Sequence, residues 1–210
     1  MHVDWFYDVI SPFAYLQLEQ FERLPQNVDV TLRPIVLGAI LSHWQTKGPA
    51  EIPKKRAFIY RIAQQRALER GLPLTFPPAH PFNPIRTLRL AVALGQSLDV
   101  TRTIMRFIWR DGGDVASDEG WKELCRRLGT AGDEAMLGTD AVKVGLRGNS
   151  DLAIELGVFG VPTFHAEGEL FWGEDATDLF LSYLSNPDMF TTGEWQRISD
   201  LPVGIQRKAG

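Results

Sequence analysis

Apolar and polar positions change period along the chain, and each change marks an element. Residues 2–10 are rich in aromatic and β-branched types and predict a buried strand. From Pro12 the spacing lengthens: Phe13, Leu16, Phe21 and Leu24, flanked by Tyr15 and Leu18, predict an amphipathic helix over 12–24. Val28-Asp29-Val30-Thr31-Leu32-Arg33 alternates again and stops at Pro34, as a second strand would. Strand, helix and strand with a connection of this length predict a right-handed parallel βαβ unit.

After Pro34 the character is helical. Pro53, Pro73, Pro77, Pro78, Pro81 and Pro84 punctuate the stretch, with helices expected over 54–70 (ended by Gly71), 84–97, 99–112, 117–128 and 131–147. No comparable strand signal returns before Val161, so residues 36–149 read as an all-helical insertion. A short helix over 150–156 closes at Gly157. Residues 163–166 and 169–172 form a hairpin about Glu167-Gly168, and a last helix spans 175–184. Segments 1–35 and 150–186 then make one discontinuous α/β domain. Residues 187–210 form a tail without a clear pattern, able to wrap the surface or a partner subunit.

The 210 residues exceed the usual domain length of about 100–150, which suits a domain with an insertion, and 44% hydrophobic content is ample for a core. A net charge of −4 argues against a nucleic-acid surface, and Lys54-Lys55-Arg56 is too small a cluster to change that. No run approaches the ~20 apolar residues of a membrane span, and the N-terminus enters a strand-like run without the marks of a secretory signal. A cytoplasmic location away from membranes is expected. The lone Cys125 excludes an intramolecular disulfide and agrees with a reducing compartment. With apolar residues at 121, 124, 125 and 128, it reads as a buried core thiol. His2, His43, His80 and His165 are scattered singly, so no metal is expected. No glycine-rich phosphate cradle occurs.

Two short segments carry candidate chemistry. In Val9-Ile10-Ser11-Pro12, Ser11 suits an N-cap and Pro12 the first helical position. A hydroxyl and free N–H groups would meet there, where the helix dipole favours negative charge. Gly160-Val161-Pro162-Thr163 sets a proline at the entry to the later strand. Each also has an ordinary reading, as routine capping and as a structural strand-edge proline.

Together with Phe6-Tyr7-Asp8-Val9-Ile10-Ser11-Pro12-Phe13, Gly157-Val158-Phe159-Gly160-Val161-Pro162-Thr163 and Phe171-Trp172-Gly173-Glu174-Asp175 give the chain a specific likeness over most of residues 1–185. It resembles the 2-hydroxychromene-2-carboxylate isomerases and their relatives, the kappa-class glutathione transferases, within the DsbA-type group. The resemblance implies a thioredoxin-like α/β fold with a large all-helical insertion. Thioredoxin-fold proteins place their reactive sulfur at a helix start opposite a cis-proline loop. Here the first position of the usual Cys-x-x-Cys is Ser11 and the last is Ala14. The site could therefore hold and ionise another molecule's thiol but make no disulfide of its own.

By that resemblance the cofactor is glutathione, and Ser11 binds and polarises its sulfur. A free thiol has a pKa near about 8.5, which a helix N-terminus and a donating hydroxyl both lower. Val161, before a cis Pro162, would pair its backbone with the cysteinyl residue. Asp175 would receive the γ-glutamyl ammonium, with Glu174 beside it at a position usually small and polar in the family. Lys55 would meet the glycyl carboxylate, although the asparagine that relatives carry shortly before it is not evident in Thr46-Lys47-Gly48-Pro49. Read without the resemblance, Asp175 is a helix cap and Lys54-Lys55 a solvated first turn.

The insertion would roof the site. Phe13, Asn83, Trp109 and Trp172 are candidate walls of the second-substrate pocket, Asn83 serving equally as a helix cap and the tryptophans as core. The resemblance implies a homodimeric isomerase of aromatic catabolism acting on a small aromatic-derived acid. Two other readings stand beside it: a kappa-type glutathione transferase or peroxidase, and a non-catalytic thioredoxin-like protein that captures peptides beside Pro162.

Overall fold

The computed structural model describes residues 1–205. Four strands, β1 (His2–Tyr7), β2 (Asp29–Pro34), β3 (Thr163–Ala166) and β4 (Glu169–Trp172), form one sheet in the order β2-β1-β3-β4. β1 runs parallel to β2, with Trp5 opposite Leu32, and antiparallel to β3, with Trp5 opposite Phe164. β3 and β4 are a hairpin turning at Glu167 and Gly168, both with positive φ. β1 is paired along both edges, and both its faces are also covered. Val3, Trp5 and Tyr7 join the main core, while Phe6 joins Ile35, Ile40, Ala153 and Val158 on the other side. Burial on both faces explains why this strand reads as a nearly continuous apolar run.

The helices are α1 (Pro12–Leu18), α2 (Leu37–His43), α3 (Pro53–Glu69), α4 (Ile85–Ala93), α5 (Leu98–Met105), α6 (Asp118–Arg127), α7 (Glu134–Leu137), α8 (Asp140–Glu155), α9 (Thr177–Ser185) and α10 (Gly193–Ser199). The architecture is the thioredoxin-like one expected, with helices between β2 and β3. α1 stops at Leu18 and gives way to a 3-10 turn over Phe21–Arg23, so the helix expected over 12–24 is two pieces. α5 ends in a π-helical turn, Arg106–Arg110, rather than continuing to 112. No helix among the described residues is long and apolar enough to cross a membrane.

The largest departure is α8. The expected break near 147–150 is absent, and the border between 149 and 150 falls inside a continuous helix. Gly145 packs so closely on α4 that a Cβ there would lie 3.0 Å from Val92. Asn149 donates to the Pro34 carbonyl at 3.2 Å, and the Ser150 hydroxyl accepts the Val36 N–H at 3.1 Å. Residues that look like a loop are thus the joint between the helices and the end of β2. In the tail, Phe190 stacks on Tyr183 with ring centroids 5.5 Å apart, and α10 follows. Residues 206–210 of the expected tail lie outside the described residues. Cys125 is buried against Gly132, and its burial raises the thiol pKa.

Candidate active site

A cavity of about 760 Å3 opens where the β1–α1 turn meets α2, α3 and the segments before β3 and after β4. Its wall is mostly apolar, with a few charged groups, the composition of a small-molecule site. Ser11 sits on it at the N-cap of α1, nearly buried, and its Oγ accepts the Ala14 N–H at 3.2 Å. Among the described residues the hydroxyl donates to nothing, so its hydrogen is available to a ligand atom in the cavity.

The backbone leading to Ser11 is held on every side. The Asp8 carboxylate accepts Ile10 N–H at 3.0 Å and Leu37 N–H at 2.9 Å, tying the turn to the start of α2. Burial without an ion-pair partner pushes this carboxyl up to about 7. His80 donates from Nε2 to the Ile10 carbonyl at 2.8 Å, since a carbonyl only accepts, and Trp109 Nε1 donates to the Val9 carbonyl at 2.9 Å. Desolvation lowers the His80 pKa, and its Nδ1 lies 2.6 Å from the Tyr60 hydroxyl, which donates to the His80 carbonyl at 2.8 Å. Both ring nitrogens have hydrogen-bonding neighbours, and through Ile10 His80 holds the turn in place.

Opposite Ser11, the Val161–Pro162 peptide is cis, as is His80–Pro81. Val161 lines the cavity, and its N–H and C=O have no hydrogen-bond partner among the described residues. Pro162 is not itself part of the wall. Its carbonyl instead accepts the Gly173 N–H at 2.8 Å, which places the turn carrying Glu174 and Asp175. Gly160 has no space for a side chain, because a Cβ would stand 2.5 Å from Trp172 Nε1.

Phe13, Lys55, Trp172 and Asp175 all reach the cavity. Three other expectations need correcting. Asn83 is not on the wall: its Oδ1 accepts the Ile85 N–H at 3.1 Å at the start of α4, one residue ahead of the N-cap Pro84. Trp109 is wholly buried behind the turn, serving as a donor to the backbone and a core ring. The Glu174 carboxylate is also fully buried, taking Arg66 Nη1 at 2.7 Å, Gln20 Nε2 at 2.9 Å and the Arg70 guanidinium. Glu174 thus lines the cavity with its carboxylate turned inward, both oxygens engaged by these three side chains.

Sequence reasoning missed Asp8, Tyr60 and Arg66, and passed over His80 as an isolated histidine. One signal was present for Arg66: Lys55, Ile59, Ile62 and Arg66 follow the spacing of a single helix face, and all four line the cavity on α3. Among the described residues no group of His, Cys, Asp and Glu side chains could hold a metal ion.

The sequence profile of the DSBA-like thioredoxin domain matches residues 2–185. A 2-hydroxychromene-2-carboxylate isomerase of Pseudomonas putida is 28% identical over 184 residues, covering 83% of this chain and 90% of that protein. Glutathione S-transferase kappa 1 of Rattus norvegicus is 26% identical over 203 residues, covering 87% and 89%. Among solved structures, a 2-hydroxychromene-2-carboxylate isomerase superposes with a TM-score of 0.75 at 22% identity, over 92% of this chain and all of the other.

Proposed function

The chain belongs to the DSBA-like thioredoxin domain family, and we propose that it is a glutathione-dependent isomerase of a small aromatic-derived acid, similar in activity to 2-hydroxychromene-2-carboxylate isomerase. The observation that carries this reading is the Ser11 hydroxyl, facing a largely apolar cavity with its hydrogen uncommitted, in a turn without cysteine.

The residues fit glutathione. Ser11 Oγ–H would donate to the sulfur and favour its ionised form. The unpaired Val161 N–H and C=O would take the cysteinyl backbone as an added strand. Asp175, whose side chain is 66% exposed, would take the ammonium. Lys55, without an ion-pair partner among the described residues, would take a carboxylate. Bound there, glutathione would supply a sulfur nucleophile that adds reversibly to a conjugated double bond, lets it rotate as a single bond and leaves unchanged. Asp8, His80 and Trp109 hold the Ser11 turn, while Phe13, Phe159 and Trp172 line the cavity beside it. In this proposal segments 1–35 and 150–186 supply the platform, residues 36–149 the roof, and the protein works as a cytoplasmic homodimer.

Comparable similarity to the rat kappa-class transferase supports a second reading, in which the same thiolate is consumed by an electrophile. Both are tested by incubating the protein with glutathione and either 2-hydroxychromene-2-carboxylate or 1-chloro-2,4-dinitrobenzene. Isomerisation of the chromene acid with glutathione undiminished supports the isomerase. Conjugation of the electrophile without isomerisation replaces it with the transferase. Neither reaction, together with peptide binding beside Pro162, would point to a non-catalytic binder.

A further inference from the structure

Glu174 and Asp175 are neighbours in sequence, yet their carboxylates are used differently. Asp175 is exposed at the cavity, whereas Glu174 is sealed beneath it by Arg66, Arg70 and Gln20. An ionised carboxylate only accepts hydrogen bonds, so Glu174 cannot donate to a ligand carboxylate as a small polar side chain would. Arg66 supplies a side-chain donor at this end of the cavity. Its Nη1 binds Glu174 at 2.7 Å and its Nη2 lies 3.3 Å from Asp175 Oδ2. Two of its five N–H groups are thus used, and no other partner for them occurs among the described residues. The guanidinium stands 5.7 Å from the Phe13 ring, two residues beyond Ser11, so it flanks the ligand position rather than lying remote from it.

An α-amino-acid end carries an ammonium and a carboxylate on one carbon. Its receptor needs opposite charges side by side, as Asp175 and Arg66 are. We infer that Arg66 binds the α-carboxylate of the ligand's γ-glutamyl end, beside the ammonium already assigned to Asp175, with Glu174 and Arg70 as positioning residues that fix the Arg66 fork. The inference rests on the glutathione reading. The cluster of two carboxylates and two guanidiniums is formally neutral, so a zwitterion enters it without unbalanced charge. If Arg66 only competed with the ammonium for Asp175, removing it would tighten binding. This contrast makes the idea testable.

The experiment is calorimetric titration of the wild type, Arg66→Met and Arg66→Lys with three thiols. These are glutathione, γ-aminobutyryl-cysteinylglycine (which lacks the α-carboxylate) and glutaryl-cysteinylglycine (which lacks the α-amine). A charge-assisted contact predicts about 10- to 100-fold weaker binding of the des-carboxy thiol to wild type. Arg66→Met should weaken glutathione binding by a similar factor but lose less than about twofold more when the carboxylate is also removed. Loss of the amine should still weaken binding to that variant. Arg66→Lys keeps the charge without the fork and should fall between, which preserves the test if Arg66→Met does not fold. Multiplicative losses for Arg66 and the carboxylate, or tighter glutathione binding by Arg66→Met, would overturn the assignment of Arg66 alone. Wild type that binds none of the three thiols would overturn the glutathione reading and this inference together.

Discussion

Replacing Asp8 with Asn tests the electrostatics beneath the site. The carboxyl is fully buried, accepts two backbone N–H groups and is raised by burial from 3.8 to about 7. Between those values the folded chain holds the proton and the unfolded chain does not. Stability from this group is therefore fully present below 3.8 and is lost as pH rises through about 7. At ~1.4 kcal/mol per pH unit, levelling off near the folded pKa, the loss between about pH 5 and about pH 8 is about 2–3 kcal/mol. Asn cannot ionise, which removes the slope. It also offers one acceptor to two donors, and the orphaned N–H adds a pH-independent cost of about 1–3 kcal/mol. Urea unfolding of both proteins across this range separates the effects, because m should not change. His80, lowered by burial, gives the opposite slope: its unfolded form binds more protons, so stability rises with pH towards 6.5. That contribution is common to both proteins and cancels in the difference. The variant should gain about 2–3 kcal/mol on the wild type from about pH 5 to about pH 8. Parallel profiles would refute the reasoning and show that Asp8 titrates as an ordinary carboxylate.

Glu174→Ala leaves Arg66 and Arg70 without their shared carboxylate, and unfolding should show a loss of about 1–3 kcal/mol. An unchanged midpoint would mean that solvent already screens these guanidiniums. Trp109→Phe keeps most of the ring but removes the donor to the buried Val9 carbonyl. It should cost about 1–3 kcal/mol and weaken glutathione binding, both read from denaturation and calorimetry. Ser11→Ala loses the cap on Ala14, worth about 0.5–2 kcal/mol, and its far-ultraviolet circular dichroism should match wild type.

Local chemistry was legible in the sequence, and long-range pairing was not. α3 was placed to within one residue because Pro53 and the positive-φ Gly71 mark its ends. β1 was legible from its composition, although it stops at Tyr7 rather than residue 10 because Asp8 turns the chain. Ser11 was legible because an N-cap bonds within its own first turn. α8 was broken in the reading because Gly148, Asn149 and Ser150 look like a loop. Their helix is held by the Pro34 carbonyl and the Val36 N–H, 115 and 114 residues away in sequence. The same limit hid the frame of the site: His80 meets Ile10 across 70 residues and Arg66 meets Glu174 across 108. The different settings of Glu174 and Asp175 were equally illegible, because the turn sends one carboxylate to arginines more than 100 residues away in sequence and leaves the other exposed at the cavity.

The central claim is that Ser11 activates the thiol of bound glutathione. Ultraviolet difference absorbance from about pH 5 to about pH 9, on wild type and Ser11→Ala at saturating glutathione, tests it directly, since a free thiol titrates near about 8.5. The account predicts a thiolate band in the wild type with a midpoint below that value, shifted upwards or lost in Ser11→Ala. An identical band in both proteins, or none in a wild type that binds glutathione, would contradict it.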